Sequence, residues 1–531
     1  MAKDTYYITT AIDYTNGAPH IGHTYEKLLA DVIARYQRSC GRKVYYLTGV
    51  DQHGQKVQQS AENQGVAPQE FADRNTDKFL ALWKTLGLDF DGWAATTDPQ
   101  HKAVVQTILQ RLYDEDQLYK AAHTGFYSVR QEQFLTDKER NVDGEFGPEW
   151  GDVVELKEEN WYFKLSKHVD WLKDFVKSHP DFVFPDYRGK ELMNALEKSE
   201  AIDLCITRPK SRLQWGIEIP FDPDYVTFVW FDALINYISF AGYLKDDVSV
   251  TNEGLPRFEN LWPADVHLIG KDIMVPAHAV YWPIMLHAMG FTDDQLPKLV
   301  VHGFWNDKGG AKLSKSEGNV VDPCLRVERY GVDGLRYYLM SAIATGRDAD
   351  FNDGRLEQSY LTELGNELGN LLNRSLNMAK RYSKGVVKTD SGYDDSLNRE
   401  LRESFSHLSD AIAKHMETHQ VHLALAEIWK RLTLCNQFVE LTAPWKLAKE
   451  EDQAERLQTV LHHLAEGLTQ VAWHVAPVMP ETSQRMLDQL GFAFSEGTVN
   501  ADISWGLLPN GHQLNEGKPL FPRLEPLDVD S

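Results

Sequence analysis

Apolar residues crowd together without alternation over residues 5–12 (TYYITTAI), the pattern of a strand buried on both faces. Ile21, Leu28, Leu29, Val32, Ile33 and Tyr36 then recur at helical spacing, and Gly41 supplies a stop. A second unbroken run, 43–50 (KVYYLTGV), follows at once. Strand, helix and strand in this order predict a parallel crossover unit, whose ligands bind beyond the carboxyl ends of the strands. Helices from about residue 68 to 120 complete that half. Over 121–224 the texture changes: Gly, Pro, Asp and Glu become frequent and strands look short, which predicts an inserted α+β region, connective rather than catalytic. Within it, 157–168 (KEENWYFKLSKH) interleaves aromatic and polar residues, as a half-buried sheet and helix would. The buried-strand pattern returns at 225–230, 266–269 and 299–304. Beyond Val320 the pattern is helical, over 327–339, 358–380, 401–415, 422–442, 454–478 and 482–490, with Pro444, Pro477 and Pro480 as breaks. The fold class predicted is α/β: a parallel-sheet domain split by an α+β insertion and followed by an α-helical bundle.

Composition narrows the picture in three places. A chain of 531 residues has room for roughly two to four compact units. A formal net charge of −23 excludes a generally basic nucleic-acid glove but leaves room for a local stripe, and Arg374, Lys380, Arg381, Lys384 and Lys388 form one. Cys40, Cys205, Cys324 and Cys435 lie far apart with no Cys-x-x-Cys, which suits neither a zinc ribbon nor a disulfide framework and fits a reducing compartment. The first strand begins almost at Met1, leaving no room for a signal or transit peptide, so a cytoplasmic location is expected. The apolar stretch 273–291 is broken by Pro276, His278, Pro283 and His287 and does not read as a membrane span.

Candidate chemistry begins in the turn between the first strand and helix. Asn16-Gly17 and Pro19 make the turn, and the helix N-terminus behind it offers backbone N–H groups and the positive end of a dipole to an anion. His20 and His23 share one face there, which suits a triphosphate; an ordinary exposed helix start reads the same way. Asp51, at the end of the second strand, either pairs with a substrate ammonium or caps the next helix. Trp230, Ala233, Leu234 and Tyr237 form an aromatic stripe that is either core or the wall of a pocket. His278 and Trp282 share a helix side, as core residues or as the polar tip of a thioether-sized slot. Late in the chain, Gly309-Gly310 and Gly318 flank Lys312-Leu313-Ser314-Lys315-Ser316, a flexible loop whose lysines suit phosphate or simply face solvent. Trp445 beside the basic run suits single-stranded RNA, or is buried behind a solvated face.

His20-Ile21-Gly22-His23 early and Lys312-Leu313-Ser314-Lys315-Ser316 late, around an interrupted parallel sheet, resemble the paired signatures of class I aminoacyl-tRNA synthetases. Ala11-Ile12-Asp13-Tyr14, Asp51-Gln52-His53-Gly54, Trp230-Phe231-Asp232-Ala233, His278 to Trp282, and Asn366, Asn370, Arg374 and Trp445 extend the resemblance, over essentially the whole chain, to the methionyl-tRNA synthetase family. The resemblance implies a Rossmann-like catalytic domain over 1–120 and 225–325, a connective insertion over 121–224, a stem-contact region over 326–365 and an anticodon-binding bundle over 366–531. It implies ATP-dependent activation of L-methionine, with Mg2+ accompanying ATP, and transfer to tRNA(Met). His20, Gly22, His23, Lys312, Ser314 and Lys315 match the ATP-binding positions, with the two histidines and two lysines as the catalytic set. Ala11, Ile12, Tyr14, Asp51, Trp230, Ala233, Leu234, Tyr237, His278 and Trp282 match the methionine site, with Asp51 holding the amino group. Asn366, Asn370, Arg374 and Trp445 match the anticodon reader. Two departures stand out. Where many relatives carry zinc-knuckle cysteines, Tyr127-Ser128-Val129-Arg130-Gln131 has none, so no structural zinc is expected. Between Ile273 and His278 the chain is one residue longer than the usual pattern, leaving open which residue there meets substrate. The chain stops after the bundle, so the form expected lacks the C-terminal dimerising appendage and is a monomer. Isoleucine, valine and leucine enzymes are the nearest alternative, but their larger editing insertion has no room here. An RNA-binding paralogue without catalysis is another, and the intact histidine and lysine pairs speak against it.

Overall fold

The crossover unit forms as its pattern requires: Thr5–Thr10 lies between Lys43–Asp51 and Val266–Gly270, all parallel. Leu299–His302 and then Val183–Phe184 extend the sheet on one side, and Gly92–Ala95 pairs with the far edge of Lys43–Asp51. Ile8 pairs with Tyr46 and with Val266, and all three are buried, as an unbroken apolar run demands. After a break at Ala11 and Ile12 the chain rejoins Lys43–Asp51 as the short strand Asp13–Tyr14. This computed structural model describes residues 5–128, 133–135, 137–141, 143–198, 203–250, 254–307, 309–310, 313, 321–389, 393–492 and 503–524.

Helix Ile21–Ser39 is more deeply buried than a single apolar stripe predicts, because the sheet covers one side and helix Pro323–Ser341 another. Its charged Glu26, Lys27 and Asp31 are all buried. Asp31 meets Arg336, whose guanidinium is fully buried: Nη2 donates to Asp31 Oδ2 at 2.6 Å, Nε to the Val478 carbonyl at 2.7 Å and Nη1 to the Leu86 carbonyl at 3.3 Å. Burial opposes charge on Asp31, but Arg336 and Arg35 outweigh it and hold the carboxyl below its ordinary range. One side chain thereby ties the sheet domain to the bundle.

The insertion is built on Leu118–Ser128 and Val153–Phe163, antiparallel along their whole length, with Gln133–Leu135 and Leu204–Cys205 at the edges. Val183–Phe184, from the same stretch of chain, leaves that sheet and joins the parallel one. Tyr225–Thr227 is a strand, but it pairs antiparallel with Thr207–Pro209 instead of entering the central sheet. A short apolar run specifies burial and extension, not its hydrogen-bonding neighbour. In the bundle, the helix expected over 401–415 is two, Ser396–Ser406 and Leu408–Met416. Val421–Thr442, Ala454–Val475 and Pro480–Gln489 follow their patterns. Glu466, fully buried, accepts the amides of Gly506 and Leu507 at 2.8 Å and of Leu508 at 2.9 Å, pinning the C-terminal segment onto the bundle. No helix among the described residues is long and apolar enough to cross a membrane.

Candidate active site

A cavity of about 270 Å³ opens beyond the carboxyl ends of the first two strands. Ala11, Ile12 and Tyr14 line it from the break after Thr5–Thr10, and Asp51 from the end of Lys43–Asp51. Helix Val229–Ser239 contributes Trp230, Ala233, Leu234 and Tyr237. Ile273 and His278 close it from the segment after Val266–Gly270, so Ile273 and not the buried Met274 is the residue there that faces the space. Trp282 sits one layer back: its ring lies 5.8 Å from that of Tyr237, and its Nε1 donates to His267 Nε2 at 3.2 Å.

Hydrogen bonds fix the protons around this slot. His278 Nδ1 is 2.9 Å from the Ile273 carbonyl, which only accepts, so Nδ1 carries the ring proton. Nε2 must then accept from the Tyr237 hydroxyl at 2.8 Å. Burial lowers His278 to about 4, which keeps the ring neutral and the slot uncharged at that end. Asp51 provides the negative end. It is buried, and Oδ1 accepts the His53 amide and the Thr96 hydroxyl, each at 3.3 Å. Gly54 shapes the wall beside it: its φ is +106°, and a Cβ there would fall 2.3 Å from the Tyr14 hydroxyl. An apolar slot with a carboxylate at one end suits an unbranched apolar side chain attached to an ammonium group.

The candidate phosphate site is the start of Ile21–Ser39. His20 caps this helix: its Nδ1 accepts the Gly22 amide at 3.1 Å, and His23 Nδ1 accepts the His20 amide at 3.1 Å. The two rings lie against each other, tilted by 39°, with centroids 3.9 Å apart. With both Nδ1 atoms accepting, each neutral ring carries its proton on Nε2. Two imidazole N–H donors are thus presented at the positive end of a helix. Lys312, Ser314 and Lys315 lie outside the described residues. Leu313 is buried in the core that contains Ile21, and the Ile21 amide donates to the Val321 carbonyl at 3.3 Å, just past the loop.

Asn366 and Asn370 are exposed on Tyr360–Asn370, and Arg374 follows one turn on in Leu371–Ser383. Arg374 Nη2 donates to Glu440 Oε1 at 2.8 Å, near the end of the helix that leads into exposed Trp445. Asn366, Asn370 and Arg374 recur every four residues along one run of helix, and Arg374 is tied to the helix that leads into Trp445.

Residues 6–147 and 150–376 match the family model described as "tRNA synthetases class I (M)", and residues 389–530 match "Anticodon binding domain of methionyl tRNA ligase". The chain belongs to the class I methionyl-tRNA synthetase family. It is 40% identical over 524 residues to a methionine–tRNA ligase of Caldanaerobacter subterraneus subsp. tengcongensis, covering 98% of this chain and 79% of that one. A methionine–tRNA ligase of Enterococcus faecalis is 40% identical over 535 residues, covering 98% and 78%. Among solved structures, the Mycobacterium tuberculosis methionyl-tRNA synthetase in complex with methionyl-adenylate superposes with a TM-score of 0.90 at 36% identity, covering 98% of this chain and all of that one. The apo form of the same enzyme gives 0.84 at 33% identity.

Within this methionyl-tRNA synthetase frame, three features escape motif reading. Lys56, Val229 and Asn236 also line the cavity, and nothing in their local pattern distinguishes them from helix surface. His53 Nδ1 lies 2.9 Å from Asp232 Oδ2, behind Asp51. Burial raises Asp232 and lowers His53 to about 3, so the pair resists charge separation. Trp215 locks the loop between Asp51 and Gly54: its Nε1 donates to the Gln52 carbonyl at 2.5 Å, and its own carbonyl accepts the Gly54 amide at 3.2 Å. In place of the knuckle cysteines, Ser128 Oγ donates to the Trp150 carbonyl at 2.5 Å, and Val129 to Gln131 lie outside the described residues. Among the described residues no group of three or more His, Cys, Asp or Glu side chains is arranged to hold a metal ion.

Proposed function

We propose that this chain activates L-methionine with ATP and transfers it to tRNA(Met). A methionine carboxylate oxygen attacks the α-phosphorus, the bond to the bridging oxygen breaks, and pyrophosphate leaves with its Mg2+. A hydroxyl of the terminal tRNA ribose then attacks the methionyl carbonyl and AMP departs. No side chain acts as nucleophile; the protein aligns substrates and meets the charge that develops on phosphate.

In this reading Asp51 pairs with the methionine ammonium, and the side chain enters between Ile12, Trp230, Leu234 and Tyr237. Its sulfur ends against Tyr237 and His278, where contact with aromatic rings favours a thioether. His20 and His23 direct their Nε2–H groups at the ATP phosphates, which lie beside Gly22, and Lys312, Ser314 and Lys315 close from the other side. Asn366, Asn370, Arg374 and Trp445 receive the CAU anticodon, through hydrogen bonds and stacking on an exposed ring.

The observation that carries this function is the hydrogen bond from the Ile21 amide to the Val321 carbonyl. It joins the start of the helix that carries the histidines to the chain just past the lysine motif, which supports a divided phosphate grip. ATP–pyrophosphate exchange with and without methionine tests it. Methionine-dependent exchange is expected; its absence in the folded protein, or equal exchange with leucine or isoleucine, overturns the assignment.

A further inference from the structure

Behind the cavity wall lies a cluster of charged side chains that the proposed reaction does not use. Lys27 is 1% exposed, and its Nζ donates to Asp13 Oδ1 at 2.7 Å, to Glu26 Oε1 at 2.8 Å and to the Ala11 carbonyl at 2.8 Å. An ammonium has three N–H groups, so all of them are engaged. Glu26 Oε2 lies 2.9 Å from His302 Nε2, and His302 Nδ1 lies 2.7 Å from the Gly303 carbonyl. An unbroken line of polar contacts thus runs from Asp13 through Lys27 and Glu26 to His302.

Such a cluster is a weak source of stability, because apolar residues of similar volume often do as well. Its location is more informative. At the break between Thr5–Thr10 and Asp13–Tyr14 the chain leaves its ladder. The Ala11 amide still donates to the Leu268 carbonyl at 3.2 Å, but the Ala11 carbonyl accepts from side chains, Lys27 and the Thr10 hydroxyl at 3.0 Å. The alternation of a strand then turns Asp13 inward to Lys27 and leaves its neighbours Ile12 and Tyr14 lining the cavity.

We infer that Lys27, braced by Asp13, is a positioning residue for methionine: it fixes the Ala11 carbonyl, and with it the Ala11–Tyr14 wall of the slot, without touching the substrate. This inference rests on the methionine reading of the cavity. Lys27→Met removes the grip but leaves Asp13 buried without its ammonium. The double variant Asp13→Ala/Lys27→Met removes one charge of each sign and is the cleaner test.

Methionine-dependent pyrophosphate exchange by the wild-type chain is measured first; if that fails, the methionine reading fails and not only the role of Lys27. Given wild-type exchange, the double variant is expected to raise KM for methionine about tenfold, with KM for ATP within about twofold and kcat within about threefold. That split marks lost ground-state positioning at one substrate. An unchanged KM for methionine overturns the inference. Equal losses for both substrates, or a double variant that does not fold by circular dichroism, also overturn it by assigning Lys27 to the general stability of the core.

Discussion

Gly22→Ala separates the chemistry of the histidine turn from its structural duty. An added Cβ would lie 3.0 Å from His20 Cε1 and 3.1 Å from Nδ1, closer than such contacts tolerate without movement. The ring is not free to swing away, since Nδ1 accepts the Gly22 amide at 3.1 Å and the ring packs against that of His23. A displacement of a few tenths of an ångström therefore weakens the cap. Losing a cap costs about 0.5–2 kcal/mol. Replacing glycine by alanine in a helix contributes about 1 kcal/mol in the other direction. The two nearly cancel, so the unfolding midpoint should stay close to wild type. Catalysis has no such offset. A donor to developing phosphate charge is worth about 3–4 kcal/mol, and losing half of that slows the chemical step by about ten- to thirtyfold. ATP–pyrophosphate exchange at saturating methionine, beside a denaturant titration, measures both quantities. Expected are a fall in kcat of that size, an unchanged KM for methionine and a near-native midpoint. A folded variant that exchanges at the wild-type rate would falsify the role given to the His20 ring.

Three further outcomes follow from the same geometry. Lys315→Ala should slow exchange by about 10²–10³ while methionine affinity, followed by tryptophan fluorescence, barely changes; a near-normal rate would remove that lysine from the phosphate grip. Trp445→Ala should lower the rate of tRNA charging and leave exchange intact, whereas equal loss in both assays would put its ring in the structural core. Stability should fall as pH drops below 6.5. Burial lowers His278, His419 and His474 to about 4, so between about 4 and 6.5 each binds a proton in the unfolded chain and not in the folded one; His53 adds nothing there, because its partner Asp232 is raised and keeps the pair's proton. Glu26 adds to this at lower pH. Burial opposes its charge, but Lys27 and His302 hold it at about 2 against an ordinary 4.5, so its contribution is present above 4.5 and lost as pH falls towards 2. Urea midpoints at about pH 7.5, 6 and 5 measure the trend, and a midpoint constant across them would contradict it.

The parts legible beforehand were those written in neighbouring residues. The opening strand, the helix after it and the bundle helices follow from periodicity, because the chain's own geometry decides which side chains share a face. Gly41, one residue past the capping Cys40, does follow the end of that helix, at φ 78°. The histidine turn and the aromatic stripe of Val229–Ser239 were legible for the same reason. Ile273 was not separable from Met274 by spacing, since the backbone there is not a regular helix: Val275 has φ −112° and ψ 126°.

What the amino-acid order by itself determined is therefore the set of elements and the chemical inventory each one carries. Which strand lies beside which, why Tyr225–Thr227 stays out of the central sheet, and how far back Trp282 sits were decided only when distant segments packed. Lys27 is the clearest case. Locally it is a lysine in the second turn of a helix, where solvent is the ordinary expectation. Only the arrival of Asp13 and of the Ala11 carbonyl, across the break in another element, makes a buried ammonium the favourable state. Local pattern has no information about such partners, because a charge's environment is set by whatever the rest of the chain places around it.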